Sequence, residues 1–564
     1  MLPTRFRLEM IRPADRARPG RWRRALLAAL AAGCVIVTAC TGGGSSTGLP
    51  PPTSPPPTGP PYTLRVLASS ELDDMQPILD QAQQATGVTV KLSYIGSLAG
   101  AQTVLSGMAA GAYDAIWFAS DNYIELSPGG PNRLDASNRI MSSPVILGLQ
   151  TPVARRLGWI GKPVSWADIA AAAAAGKISF GMTDPATSNS GLSALASVAT
   201  VLAGQGAALQ ASQIPAAEPA LHAMFGAQAL KRESSGFLAD AYVADQDRAP
   251  PVDGLIDYES VLLSLNASGK LHQPLTLIYP SDGVLTANYP LTLLASASAA
   301  AKSAYTRVAD YLLSPAVQSQ ITRQTFRRPA TPGVQSAPVL RPHPLHELPF
   351  PGSIGVVNDL LAAYDGELRR PARTVYVLDT SGSMAGPRLA GLKAALDYLT
   401  GTGTSLAGKL SQFQEREQVI MLPFNTTPGT PEIFNVPASD PGPVLAQIRS
   451  YVGSLSADGW TAIYQTLETA YDIIAKQAVA GPDRITTIVL LTDGENNRGD
   501  DLSGFTAFYH RLPPAIAAVP VFPVLLGEAA LAQMKALASL TGGQVFDART
   551  QPLAPVFAAI RGNQ

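Results

Sequence analysis

The stretch Thr374-Val-Tyr-Val-Leu-Asp-Thr-Ser-Gly-Ser-Met384 admits few architectures. A β-branched and aromatic apolar run stops abruptly at Asp379, Ser381 and Ser383, and apolar residues then recur at helical spacing (Leu389, Leu392, Leu396, Leu399). The pattern predicts a buried strand, a tight loop and a helix. Open α/β sheets bind their ligands at loops of this kind, outside the carboxyl ends of the strands.

The side chains on that loop point to a hard cation. One carboxylate and two hydroxyls suit Mg²⁺ or Mn²⁺, which take oxygen ligands in near-octahedral geometry. One loop cannot close such a site, and two later segments offer the rest. Gly459-Trp-Thr-Ala-Ile-Tyr464 places a threonine hydroxyl ahead of a helical pattern, and Ile485-Thr-Thr-Ile-Val-Leu-Leu-Thr-Asp-Gly494 is a second buried strand ending in Asp493. The combination resembles the von Willebrand factor A (VWA) domain and its metal-ion-dependent adhesion site. The resemblance implies that Asp379, Ser381, Ser383, Thr461 and Asp493 hold Mg²⁺ or Mn²⁺, some through water, and that a protein partner supplies a Glu or Asp as the last ligand. Asp-Thr-Ser-Gly is also the aspartic protease motif, but that all-β fold needs a second such loop, whereas helices alternate with strands here. A metal-free turn with serine capping a helix accounts for the first loop alone, not for three loops in order.

Composition narrows the remaining classes. The 564 residues suffice for two or three domains with full cores. Charged residues make up only 15% and the formal net charge is −1, so nothing favours nucleic acid as a partner. The five histidines (His222, His272, His343, His346, His510) have no zinc spacing. The only cysteines, Cys34 and Cys40, lie near the N-terminus, which leaves the folded body without disulfides and without redox chemistry.

Arg21-Trp-Arg-Arg24 followed by an apolar run over 25–37 has the layout of a signal peptide, too short to span a membrane comfortably. Val37-Thr-Ala-Cys40 resembles the lipobox of bacterial lipoproteins, which implies a signal peptide over 1–39 and lipidation at Cys40. Arg23-Arg24 leaves both the general and the twin-arginine export routes open. A Gly/Ser and then polyproline segment over 40–61 reads as a tether that holds the domains off a membrane. The expected location is therefore the extracytoplasmic face of the cell membrane, lipid-anchored.

Residues 62–332 alternate strand and helix patterns. Tyr62-Thr-Leu-Arg-Val-Leu-Ala68 ends in Ser69-Ser70-Glu71, 88–92 is a second strand, and Tyr113-Asp-Ala-Ile-Trp-Phe-Ala119 leads into Ser120. A parallel sheet follows, with ligands at the strand ends. Ser143-Pro-Val-Ile-Leu-Gly-Leu149 reads as a strand crossing into a second lobe. Thr183, Ser188, Asn189 and Ser190 crowd a helix start, where free N–H groups and the helix dipole favour a polar or anionic ligand, although an elaborate N-cap uses the same residues. With Gly254-Leu-Ile-Asp-Tyr-Glu-Ser260 and Tyr279-Pro-Ser-Asp-Gly283, the segment resembles the extracellular solute-binding proteins of bacterial ABC transporters. In that family two α/β lobes close over a solute. The matching loops here carry Ser69, Ser70, Ser120, Thr183, Ser188, Asn189, Ser190, Tyr258 and Glu259. Glu259 either faces the solute, where it would repel an anion, or serves the fold by pairing with an arginine or capping a helix.

A proline-rich stretch and a helical pattern (Val357, Leu360, Leu361, Tyr364) fill 333–370 as a linker and a helix packing on the C-terminal domain, and 371–564 forms the doubly wound domain. The expectation is an α/β chain with a two-lobed solute-binding-protein-like domain followed by a Rossmann-like VWA domain. No residue set supports catalysis. The expected role is metal-dependent capture of an acidic side chain on a protein partner. The alternative is capture of a small polar or anionic solute for an ABC transporter.

Overall fold

The computed structural model describes residues 59–564 apart from 205–206, 248–249, 341–344, 403–410, 481–483, 528–530 and 550–552. The expected signal peptide, Cys40 and most of the expected tether lie outside the described residues.

Three sheets organise the described chain. The first orders strands Val88–Ile95, Tyr62–Ser69, Ala115–Trp117, Pro290–Leu294 and Leu134–Arg139. Its first three strands are parallel, and Pro290–Leu294 runs antiparallel between Ala115–Trp117 and Leu134–Arg139. The second orders Thr286–Ala287, Met141–Gln150, Gly254–Tyr258, Phe180–Thr183 and Gln228–Arg232. The chain therefore crosses from one lobe to the other between Leu134–Arg139 and Met141–Gln150, and returns at Pro290–Leu294. Met141–Gln150 is buried along nearly its whole length, as expected of a strand paired on both edges and covered on both faces.

The third sheet orders Glu432–Asn435, Gln418–Phe424, Ala372–Asp379, Ile485–Thr492, Val521–Leu525 and Phe546–Asp547. All are parallel except the edge strand Glu432–Asn435. Numbered along the domain, the order is 3-2-1-4-5-6, and the order reverses between Ala372–Asp379 and Ile485–Thr492. Side-chain alternation loads both faces of this sheet. Tyr376 and Leu378 pack with Leu392, Leu396 and Leu491 on one side, while Val375 and Val377 pack with Ile463, Leu467 and Leu490 on the other. The uninterrupted apolar run of each central strand is the consequence.

One expectation is corrected. Helix Ile354–Ala363 does not lie on the C-terminal domain. Val356, Leu360, Tyr364 and Leu368 join the core of the first half, and Val357 and Leu361 join the cluster around Leu98 and Phe118. Its apolar residues occupy more than one stripe, so the helix needs cover on two sides, and the two-lobed half supplies it. The Tyr364 ring meets Phe225 edge-on at 5.3 Å, and its hydroxyl donates to Gln228 Oε1 at 2.8 Å.

The two halves meet through buried polar contacts. Glu233, at the end of strand Gln228–Arg232, accepts from Gln544 Nε2 (2.8 Å) and Asn563 Nδ2 (2.7 Å). Glu417 accepts from Arg561 Nη2 at 2.7 Å and also from Arg369 Nη2, a few residues beyond helix Ile354–Ala363.

Candidate functional site

The reversal of strand order opens a crevice at the carboxyl ends of Ala372–Asp379 and Ile485–Thr492, where a doubly wound sheet binds ligands. Asp379 is the last residue of its strand and fully buried. Its Oδ1 accepts from the Ser381 backbone N–H at 2.9 Å, and its Oδ2 accepts from Thr492 Oγ1, on the neighbouring strand, at 2.6 Å. Burial pushes the Asp379 carboxyl above the usual range, opposed by the hydrogen bonds from Ser381 and Thr492 and reinforced by the charge of Asp493.

The loop then turns through Gly382–Met384, pinned by the buried Met384 side chain. Ser381 Oγ and Ser383 Oγ are 3.1 Å apart, and Ser383 Oγ donates to Asp493 Oδ1 at 2.8 Å. The second loop is tied to the first through Gly382 N–H to Gly459 O (3.0 Å) and Asp458 N–H to Thr380 O (2.8 Å). Gly494 closes the group: a Cβ at that position would sit 3.7 Å from Ser383 Oγ and 3.8 Å from Thr461 Oγ1. The fold thus brings Asp379, Ser381, Ser383, Thr461 and Asp493 from three loops to one place.

Sequence reasoning missed three residues there. Asn497 Oδ1 accepts from the Thr461 backbone N–H (2.9 Å), and Asn496 Oδ1 accepts from Ile463 N–H (2.8 Å) at the start of helix Ile463–Ala480, so adjacent asparagines bolt the third loop to the second. The pair Asn496-Asn497, three residues beyond Asp493, was the available signal. Arg388, in the first turn of helix Pro387–Asp397, donates through Nη1 to Asp493 Oδ2 at 2.5 Å. On the rim, the Arg498 guanidinium lies 4.3 Å from the centroid of the Trp460 ring, which is 54% exposed.

The donor set fits a hard divalent cation. All five side chains offer oxygen, only two of them charged, and the bare Gly494 leaves the space between two hydroxyls unfilled by any side chain. Asp379 and Asp493 are the only carboxylates among the five, so the charge of this donor set is low.

In the two-lobed half the expected solute residues fall into separate hydrogen-bonded groups, and Ser120 Oγ accepts from its own loop at Asn122 N–H (3.2 Å). Thr183, Ser188 and Ser190 bond to one another, as do Asn189 and Tyr258, and the others bond to residues outside the set. Ser190 Oγ bonds Thr183 Oγ1 (2.7 Å), Ser188 Oγ (3.3 Å) and Ser235 Oγ (2.9 Å), and Asn189 Nδ2 donates to the Tyr258 hydroxyl (3.1 Å). Ser69 Oγ bonds Ser97 Oγ (2.8 Å), while Ser70 Oγ reaches across the lobes to Ser234 Oγ (2.9 Å). Glu259 is fully buried and pairs with Arg328 (2.8 and 2.9 Å) and the Tyr279 hydroxyl (2.6 Å), the second of its two expected roles. Sequence reasoning passed over the buried carboxyls of Glu71 and Asp257, each pushed up to about 7 by burial. It also passed over Arg327, which pairs with Asp74 (2.6 Å) beneath the Tyr289 ring.

Residues 64–327 match the bacterial extracellular solute-binding protein family, and residues 374–495 match the von Willebrand factor type A domain. A curated relative, inter-alpha-trypsin inhibitor heavy chain H4 from Bos taurus, is 26% identical over 155 residues, which are 26% of this chain and 16% of that protein. The chain thus spans about a sixth of that relative's length. Among solved structures, the periplasmic binding protein AfuA from Actinobacillus pleuropneumoniae is 13% identical, with TM-score 0.44, over 54% of this chain and 98% of its own. A von Willebrand factor type A structure from Catenulispora acidiphila is 20% identical, with TM-score 0.28, over 34% of this chain and 42% of its own. Among the described residues no helix is long and apolar enough to cross a membrane. The chain carries a bacterial extracellular solute-binding domain followed by a von Willebrand factor type A domain.

Proposed function

We propose that this chain is a lipid-anchored, extracytoplasmic binding protein whose VWA domain holds Mg²⁺ or Mn²⁺ and through it binds an acidic side chain of a protein partner. The observation that carries the reading is the convergence of Asp379, Ser381, Ser383, Thr461 and Asp493 at the strand-order reversal of the third sheet. These residues would hold the cation, and the cation would supply a Lewis-acid position for a carboxylate. With two carboxylates and three hydroxyls around it, such a cation keeps most of its charge, which favours an anionic last ligand. Ser383 faces solvent, and Trp460 and Arg498 offer the partner an aromatic and a cationic contact beside it. Lipidation at Cys40 after removal of 1–39 would place the site outside the cell, at the end of a tether.

Thermal unfolding of the full chain, titrated with MgCl₂ and MnCl₂, tests this. A ligand that binds only the native state stabilises it by about 2.7 kcal/mol at a hundred times its Kd. The wild type is expected to shift and Asp379→Ala to stay still. A wild type indifferent to both metals, with and without an acidic peptide, overturns the reading.

A second reading, capture of a small solute between the lobes, is favoured by one observation. A cavity of about 470 Å³ lies between the turn Ser70–Met75 of the first lobe and helices Ser235–Asp245 and Glu259–Ala267 of the second. Its volume falls in the range of small-molecule sites.

A further inference from the structure

The contact between the two lobes and the contact between the two domains use the same pair of residues. Thr187 follows strand Phe180–Thr183 and Glu233 follows strand Gln228–Arg232, both in the second lobe. The Thr187 hydroxyl donates to the Glu233 carbonyl at 2.9 Å, which ties the two loops together, and both residues are buried.

From one side the pair receives the first lobe. Helix Ser97–Leu105 begins there, and the first N–H groups of a helix have no partner within it. The Leu98 and Ala99 N–H groups donate instead to the Thr187 carbonyl across the lobe boundary, at 2.9 and 3.2 Å. Gly96 permits the approach, because a Cβ there would lie 2.4 Å from the Thr187 carbonyl oxygen and 2.6 Å from that of Glu233. A further cross-lobe bond, Ser70 Oγ to Ser234 Oγ, falls on the residue after Glu233.

From the other side the pair receives the VWA domain. The Glu233 carboxylate takes one side-chain hydrogen bond on each oxygen, from Gln544 and from Asn563. Gly562 mirrors Gly96: a Cβ there would lie 2.7 Å from Glu233 Cβ and 3.0 Å from Thr187 Oγ1. Helix Leu553–Arg561 also runs beside helix Ser97–Leu105 of the first lobe. Where the three parts meet, a cavity of only about 20 Å³ is left among Ala99 and Gln102 of the first lobe, Thr187 and Lys231 of the second, and Arg561 and Gly562 of the VWA domain. That is room for about one water molecule, so a displacement at either contact is passed on rather than absorbed.

We propose that Thr187 and Glu233 form a joint through which the VWA domain holds the two lobes together, so that the lobes part only when the segment 561–564 gives way. The inference goes beyond the metal and solute readings and depends on neither. Coupling of this kind is reciprocal. A partner that displaces the VWA domain loosens the lobes, and a guest that parts the lobes loosens the VWA domain.

Hydrogen exchange of the full chain, resolved to single amides by mass spectrometry, tests this. The Leu98 and Ala99 amides have no acceptor in their own helix, so their protection reads the lobe contact. Gly562→Ala wedges the VWA side of the joint and should speed exchange at Leu98 and Ala99 by about tenfold or more. The amides of the core strand Met141–Gln150 should keep their wild-type rates, which shows that the lobes stay folded. Gln544→Ala combined with Asn563→Ala removes both donors to Glu233 without adding bulk and should act in the same direction. In reverse, Gly96→Ala should speed exchange at the Asn563 and Gln564 amides. Leu98 and Ala99 rates within about threefold of the wild type in either VWA-side variant overturn the proposal, because the lobes would then hold each other unaided. Unchanged Asn563 and Gln564 rates in Gly96→Ala overturn it as well, since coupling runs both ways. Faster exchange that extends through Met141–Gln150 in both VWA-side variants also overturns it, because the segment would then support the fold of the second lobe rather than its contact with the first.

Discussion

Substituting Glu417 with glutamine should loosen the junction between the two domains by an amount the structure sets. Glu417 is 1% exposed and receives the guanidiniums of Arg369, from the two-lobed half, and Arg561, from helix Leu553–Arg561. Burial alone would raise its carboxyl, but the Arg561 and Arg369 charges overcome this and pull it from 4.5 to about 2. At about 1.4 kcal/mol per pKa unit, that depression corresponds to about 3 kcal/mol of folded-state stabilisation. Removing one partner of a buried ion pair costs about 3–5 kcal/mol, which agrees, because a neutral amide in place of the carboxylate would take the shared countercharge from both buried guanidiniums and leave Arg369 only Asp365, at 3.4 Å. The sign with pH follows from the depressed value. The Glu417 contribution is complete above about 4.5 and is lost as pH falls through about 2. Native-state hydrogen exchange of the strand Gln418–Phe424 amides reads the loss directly, since Glu417 immediately precedes that strand. About 3 kcal/mol is roughly a hundredfold faster exchange at pH 7. Exchange within threefold of the wild type would refute the reasoning and make the triad a surface-like pair of little consequence.

Four further outcomes are expected. Arg388→Ala frees Asp493 Oδ2 from an ion pair whose arginine side chain is 42% exposed; such pairs contribute up to about 1 kcal/mol, so Mn²⁺ affinity measured by electron paramagnetic resonance should rise up to about fivefold. Gly494→Ala puts a methyl at ordinary contact distance from Ser383 Oγ and Thr461 Oγ1; the chain should fold normally by circular dichroism and lose its Mg²⁺-dependent thermal shift. Gly96→Ala drives a Cβ to 2.4 Å from Thr187 O and 2.6 Å from Glu233 O across the lobe contact, and overpacking against backbone should lower stability by about 1–3 kcal/mol in urea unfolding. Burial holds Glu71, Asp121 and Asp257 up at about 7. Carboxyls raised in the folded state stabilise it below their unfolded value near 4 and lose that contribution as pH rises through about 7, so the thermal midpoint should fall across this window, less steeply in Asp257→Asn.

How far the chain can be read without coordinates differs between its halves for a physical reason. In the VWA domain the informative residues sit where a strand ends. The central strands are buried on both faces, so their apolar runs are continuous and their ends abrupt, and Asp379 and Asp493 stand at those ends as local features. Which strands lie side by side was not legible, yet the order 3-2-1-4-5-6 is what brings Asp379 and Asp493 together. Arg388 carried no signal because an arginine in a first helical turn is ordinary, and only the fold shows that it reaches Asp493. In the two-lobed half the decisive contacts are long-range. Ser70 bonds Ser234, 164 residues away, and Arg327 bonds Asp74, 253 residues away, so neither leaves a local pattern. Local chemistry then misleads. A cluster of serines and threonines at a helix start looks like a set of donors awaiting an anion, but Ser190 spends its hydroxyl on Thr183, Ser188 and Ser235. The helix Ile354–Ala363 shows the same asymmetry, because a broad apolar surface demands cover without saying which neighbour provides it. A donor group is informative only when its partner is absent, and absence is a property of the folded chain.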